Sequence, residues 1–252
     1  MQLENTCTTH GKKARKLTVS IANNQETINA AQALRYKVFV EEMGAQLPSK
    51  LSGLDRDLFD DYCDHLVAHD ESSGEVVGTY RILPPHQARK VGSYYSDTEF
   101  DLTRLQHIRP QLVELGRSCV HPKYRNGATI TLLWAGIAKY MAENNYQYMI
   151  GCASVSLIDN AHTAINLYSQ IANTSLAPIE WRVFPRMPLP IPNQHHTKPV
   201  EVPALIKGYL RAGAMICGEP AWDPAFNTAD FLMLLPTKQL SERYAQHFFT
   251  NK

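Results

Sequence analysis

The sequence predicts an α+β layered domain built on a mixed sheet. Three observations carry that expectation. Strand-length apolar runs alternate with segments of helical period. The early strands are joined by hairpin turns and the later ones through helices. The chain has 252 residues, 44% apolar and 19% charged, enough to bury a substantial core without a disulfide or metal staple.

Each element has a local reason. Leu17–Ala22 is a short strand-like run. A helix is expected from about Glu26 to Met43, because Ile28, Ala31, Arg35, Val38, Phe39 and Glu42 recur at three- and four-residue steps. Asn24 suits its N-cap and Gly44 its C-cap. Residues 45–60 read as an acidic loop. His65–Asp70 and Glu75–Leu83 read as strands joined by the turn Ser72-Ser73-Gly74, and Pro84-Pro85 ends the second. Residues 86–110 form an irregular excursion with one short helix. Gln111–Val120 is the next strand, stopped by His121-Pro122. A turn over Lys123–Ala128 then opens a helix over Thr129–Asn144. A strand at Tyr148–Val155 and a helix at Asn160–Ile171 follow. Seven prolines between 176 and 203 forbid regular structure across most of that stretch, with Ile179–Phe184 as a strand within it. A helix at Pro203–Ala212, strands at Ala214–Cys217 and Ala229–Leu235, and a helix at Lys238–His247 complete the chain. Residues 1–16, with Lys12, Lys13, Arg15 and Lys16, read as a flexible basic arm before a single domain over 17–252.

Composition excludes several function classes. Lys and Arg (25) nearly cancel Asp and Glu (24), which argues against a nucleic-acid binder. The longest apolar stretch, Ile130–Ala138, falls far short of the ~20 residues that span a bilayer. No signal-peptide pattern is visible, so the chain reads as cytoplasmic. Cys7, Cys63, Cys119, Cys152 and Cys217 are too scattered for a disulfide framework or a zinc ribbon. The ten histidines lack HExxH spacing, and no metal is expected. Ser118 and Ser154 lack a nucleophile elbow.

The segment from Glu114 to Ala128 is a strand, a turn and a helix start. A Gly-containing turn that opens a helix leaves N–H groups for a phosphate, and Lys123 and Arg125 add charge. It is neither a Walker loop nor GxGxxG, and an ordinary helix start reads the same way. Glu114 and Arg117, three apart, point to opposite strand faces unless a bulge intervenes. The other reading is a simple ion pair on a half-exposed strand. Asp60, Asp61 and Asp64, with Asp55 and Asp57 upstream, would hold a cationic amine or a buried Arg, or form a solvated acidic loop. Arg35 sits on the apolar side of its helix beside Phe39 and needs an anion; the Asp cluster supplies a candidate. Arg81, near the end of an apolar strand, raises the same demand.

Arg35-x-x-x-Phe39, Asp61-x-x-Asp64, Arg81 in Gly78-Thr79-Tyr80-Arg81-Ile82-Leu83, and Glu114-x-x-Arg117 follow in order. This succession resembles the acyl-homoserine-lactone synthases and their relatives in the GNAT superfamily. The wording of Leu34–Gly44, Glu114–Val120, Tyr124-Arg125-Asn126-Gly127 and Cys217-Gly218-Glu219-Pro220-Ala221-Trp222-Asp223-Pro224 is closer to the ornithine-lipid branch. That branch holds ornithine Nα-acyltransferases and N-acyl amino acid synthases, some of them labelled hemolysin-like. The likeness covers about residues 17–248.

The resemblance implies an α+β, GNAT-like fold with a mixed, V-split sheet and helices on both faces. It implies transfer of a long acyl chain, with or without a 3-hydroxyl, from an acyl carrier protein thioester to the α-amine of ornithine or another amino acid. Glu114 would be the base, or would only orient Arg117. Arg35, Phe39, Asp61, Asp64 and Arg81 would organise the acceptor side. Ser118, Cys119 and Val120, with Lys123, Arg125, Asn126, Gly127 and Ala128, would hold the phosphopantetheine arm. No cofactor is implied beyond acyl-ACP or acyl-CoA as donor. The turn keeps only Arg125-Asn126-Gly127-Ala128 of the usual acetyl-CoA pattern, which suits a donor carried by acyl carrier protein. That partner, being acidic, would dock on Lys123, Arg125 and Lys139. Phe39, Leu115, Trp134, Ile137 and Met141 either line an acyl channel or belong to the core. Peripheral contact with the inner membrane face is a further implied partner. Two other readings stand beside this one: a lactone-type signal synthase, opposed by the extra C-terminal third, and a non-catalytic lipid-binding protein, which no amphipathic segment supports.

Overall fold

A computed structural model describes residues 3–6, 16–46, 53–191 and 198–238. The strands are β1 (Leu3–Thr6), β2 (Lys16–Ile21), β3 (Asp64–Asp70), β4 (Val76–Leu83), β5 (Phe100–Asp101), β6 (Leu112–Val120), β7 (Tyr148–Ser156), β8 (Phe184–Pro185), β9 (Met215–Ile216), β10 (Ala221–Asp223) and β11 (Thr228–Pro236). The α-helices are α1 (Gln25–Tyr36), α2 (Pro85–Val91), α3 (Ala128–Glu143), α4 (His162–Ser175) and α5 (Ala204–Ala212). Two compact units divide the chain: residues 1–87 with 115–145, and residues 88–114 with 146–252. Strand β6 contributes to both.

In the first unit β1, β2, β3 and β4 pair in sequence order, and β6 lies beside β4. Strands β3 and β4 are buried along nearly their whole length, which an apolar run without alternation signals. One face takes α3: a Cβ built on Gly136 of that helix would lie 3.1 Å from Leu66 and Val19. The other face takes α1. His65 and Arg81, opposite each other in the β3–β4 register, point to that side and meet groups that also bind Arg35. Asn24 caps α1 through its side chain, which accepts from the Thr27 N–H at 2.8 Å. Beyond Tyr36 the helix widens into a π-helical stretch over Lys37–Glu42 and ends at Gly44 with φ +76°.

In the second unit the order is β6, β7, β11, β10, with β9 also on β11. Leu112, Val113 and Glu114 of β6 pair in parallel with Tyr148, Met149 and Ile150 of β7; the β7–β11 and β10–β11 pairs are antiparallel. The sheet is therefore mixed, as expected. Helix α4 packs on β7 and β9, and α5 on β11.

Several elements differ from expectation. Residues 3–6, within the segment read as an arm, form a strand on β2, while Lys12, Lys13 and Arg15 lie outside the described residues. The short helix expected in the excursion is α2, which begins at Pro85, where a missing N–H costs nothing; three 3-10 turns accompany it. Ile179–Phe184 is not a strand. A 3-10 turn occupies Ile179–Trp181 and only Phe184–Pro185 pairs, with β5, because prolines interrupt the ladder. The expected terminal helix lies outside the described residues beyond Lys238.

Helix α3 approaches its sheet closely because Gly78 has no side chain: a Cβ there would meet Thr129 Cγ2 at 2.7 Å and Leu133 Cδ1 at 3.0 Å. Gly78→Ala is therefore expected to lower stability by about 1–3 kcal/mol, measured by urea unfolding. An unchanged midpoint would show that α3 sits farther from β4.

Candidate active site

Three arginines and three aspartates of the first unit form a closed ring. Arg35 bonds Asp55 at 2.7 Å and Asp60 at 2.7 Å. Arg81 bonds Asp60 at 2.9 Å and Asp57 at 2.6 Å. Arg117 closes the circuit, 3.2 Å from Asp57 and 3.3 Å from Asp55. Each arginine thus touches two aspartates and each aspartate two arginines, so three positive and three negative charges cancel. Arg35 has no exposed side-chain surface, whereas Asp57 keeps 22%. The ring is sealed at the α1 end and opens at the Asp57–Arg117 edge. Burial works against the charge on Asp60, but Arg35 and Arg81 hold its carboxyl well below the usual carboxylate range. Gln32, one helical turn before Arg35, donates to Asp60 at 3.1 Å. His65 lies against the same residue, and burial lowers its pKa.

Arg117 reaches the ring from a kinked strand. Its φ is +48°, in the left-handed region, which breaks the alternation of β6.

The ring corrects the choice of aspartates. Asp61 points outward to exposed Arg56, and Asp64 accepts from the Tyr140 hydroxyl at 2.6 Å. Asp57-x-x-Asp60 has the same spacing as Asp61-x-x-Asp64, so spacing alone does not choose between them. Phe39 packs on the small cluster of Leu34, Val38 and Cys119. Leu115, Trp134, Ile137 and Met141 are buried.

The turn before α3 is internally committed. Arg125 makes a two-pronged ion pair with Glu42, at 2.5 and 2.7 Å, and bonds the Val120 carbonyl. Asn126 accepts from the Ala128 N–H at 3.1 Å, and Gly127 (φ +90°) makes the corner into the helix. Ser118, Cys119 and Val120 lie on β6, where burial pushes the Cys119 thiol up to about 12. Lys123 sits in the 3-10 turn Pro122–Tyr124, and Lys139 pairs with Glu143 on α3.

In the second unit Glu114 is buried and accepts three hydrogen bonds: from the Tyr95 N–H (2.6 Å), the Ser96 N–H (2.7 Å) and the Ser96 hydroxyl (2.5 Å). Ser96 Oγ also lies 3.6 Å from Cys152 Sγ. Beyond it is a group that the sequence reading missed. Glu99, Cys152 and Asp230 offer atoms within 4.8 Å of one another, and among the described residues they alone could jointly hold a metal ion. Burial, then Asp230, push the Glu99 carboxyl up to about 9, and burial raises Asp230 as well. The available signal was Asp230 itself, an acid inside the otherwise apolar strand β11.

Opposite pH dependences follow. Asp60 has a lowered folded pKa, so its stabilisation is full above the unfolded carboxylate value and fades as pH falls below it. Glu99 has a raised one, so the native state loses stability as pH climbs from about 4.5 towards 9. Between pH 5 and 9 the unfolding free energy of the intact chain should fall relative to that of Glu99→Gln; equal slopes would contradict the buried acid. Arg35→Leu should cost ~3–5 kcal/mol by urea unfolding, since it leaves a buried negative charge uncompensated and removes one partner each from Asp55 and Asp60. Arg56→Ala, which removes only the exposed pair with Asp61, should cost under ~1 kcal/mol.

Comparison with known proteins fits this geometry. The profile of the acetyltransferase (GNAT) domain matches residues 34–135. The solved structure of the acyl-homoserine-lactone synthase LasI superposes with a TM-score of 0.54 at 14% identity, covering 88% of this chain and 91% of that one, which speaks for the fold. The L-ornithine N(alpha)-acyltransferase of Agrobacterium fabrum is 38% identical, over 92% of this chain and 85% of its own. The enzyme of the same name from Brucella abortus is also 38% identical, over 92% and 88%. The chain is an acyltransferase of the GNAT fold and belongs to the family of these L-ornithine N(alpha)-acyltransferases.

Proposed function

We propose that the protein transfers a long fatty acyl chain, with or without a 3-hydroxyl, from acyl carrier protein to the α-amine of L-ornithine. The observation that carries this reading is the 37–38% identity, over at least 92% of the chain, with four proteins named for that acceptor. In the reaction the amine nitrogen bonds to the thioester carbonyl carbon, the carbon–sulfur bond breaks, and the carrier thiol leaves. One proton must leave the attacking nitrogen and one must reach the thiolate. Most of the acceleration comes from aligning amine and thioester, since no covalent enzyme intermediate is required.

Glu114 is the proton acceptor in this reading, reached through Ser96. A hydroxyl both accepts and donates, so Ser96 Oγ takes the amine proton while passing its own to Glu114 Oε1, 2.5 Å away. The N–H groups of Tyr95 and Ser96 keep that carboxylate aimed. Backbone N–H groups near Ser118–Val120 meet the oxyanion. The donor reading draws support from the turn before α3. With Arg125 held by Glu42, its guanidinium is engaged and is less available to the phosphates of free CoA. A carrier protein brings binding surface of its own. The lipid product gives a reason for peripheral contact with the inner membrane face; among the described residues no helix is long and apolar enough to cross one.

Mass spectrometry of products tests the acceptor. Purified protein with acyl-ACP and a panel of amino acids should yield N-acylornithine; acylation only of another amine would refute ornithine as substrate. Glu114→Ala should lower kcat at least ~100-fold, and Ser96→Ala by at least ~10-fold. Normal turnover in Glu114→Ala would remove it as the base.

A further inference from the structure

We propose that Glu99 and Asp230 form the specificity-determining anion of the acceptor site and receive the side-chain ammonium of ornithine. The proposal rests on the ornithine reading above and adds how the enzyme tells that amino acid from neutral ones.

Register builds the group. Ser154 lies directly opposite Asp230 in the β7–β11 pair, and Cys152 is two residues from Ser154, on the same face. Thr228 donates to Asp230 at 2.9 Å, and Asp230 is only 4% exposed. Glu99, just before β5, meets this face. Neither of its carboxylate oxygens has exposed surface or a hydrogen-bond partner of normal geometry among the described residues. Buried Asp223 adds a third negative charge to its surroundings. The groups that act most strongly on Glu99 are Asp230, Asp223 and Cys152, in contrast to the ring of the first unit, where every aspartate meets two arginines. Two buried acids so placed must share a proton or meet a cation.

The geometry suits one primary ammonium. The Glu99 and Asp230 carboxyls lie side by side, within 4.8 Å and near enough to interact directly, so one nitrogen can meet both. An ammonium has three donors and no acceptor, the complement of what Glu99 and Asp230 offer. A thiol is a weak acceptor for an ammonium, which leaves the two carboxylates as the binding groups. Ornithine carries two ammonium groups. The α-amine must lose its proton to react, whereas the side-chain ammonium stays charged and needs a buried anion if it is enclosed. Ser96, which touches both Cys152 and Glu114, links this group to the proposed proton acceptor within the same unit.

Steady-state kinetics of the full chain with acyl-ACP test the proposal, using L-ornithine, L-norvaline (the same carbon skeleton without the side-chain amine) and 5-hydroxynorvaline. The wild type should prefer ornithine over both by at least ~100-fold in kcat/KM, because a neutral analogue leaves the acids unpaired. In Glu99→Gln and Asp230→Asn the ornithine-to-norvaline ratio should collapse to within ~10-fold, with the loss carried by the KM for ornithine. A merely structural role would lower both substrates together and leave the ratio intact, which would overturn the proposal. A wild type that uses ornithine and norvaline equally would overturn it without any variant. Failure of the ornithine reading has a different signature: a wild type that makes no N-acylornithine yet acylates another amine, which overturns both.

Discussion

The alternating ring of Arg35, Asp60, Arg81, Asp57, Arg117 and Asp55 is the interaction on which the first unit depends. It ties α1, the 53–62 segment, β4 and the kink of β6 in one charge-neutral circuit. Removing any single member leaves two neighbours with one partner each and one net charge uncompensated, so the six positions act together. Replacing all six with apolar residues would cost less than removing one, yet the circuit does what an apolar patch would not. It fixes the guanidinium of Arg117, on a residue with positive φ, at an edge that is still partly open.

The second unit solves the same electrostatic problem in the opposite way. Glu114 is charge-satisfied by backbone and hydroxyl donors, while Glu99 and Asp230 are left with each other. Burying acids without bases is destabilising at neutral pH, and such a cost persists where a ligand repays it. Proteins that place one acid in a donor cage and its neighbour in an acid-rich pocket separate the affinities of the two for protons.

Much of this architecture was legible in the residues. Helical spacing in Ile28, Ala31 and Arg35 and the Asn24 cap gave α1, and the Ser72-Ser73-Gly74 turn gave the β3–β4 hairpin. Arg35 announced a buried anion because an arginine between Ala31 and Phe39 has no other remedy. Which aspartates answer was not legible, since Asp57-x-x-Asp60 and Asp61-x-x-Asp64 have identical spacing and only the three-dimensional path of the loop separates them. The positive φ of Arg117 could not be located without the backbone. The Glu99–Asp230 pair was hidden because its members are 131 positions apart and meet only in the folded chain, a long-range contact that no local pattern encodes.

The most direct test of the whole account is a single-vessel donor competition. Acyl carrier protein and coenzyme A would carry chains of different length, at equal concentration, with L-ornithine and the purified full chain, and products would be read by mass spectrometry. N-acylornithine bearing the carrier protein's chain is the expected result. N-acylornithine bearing the coenzyme A chain would contradict the donor assignment, and the absence of N-acylornithine in the presence of folded protein would contradict the reaction itself.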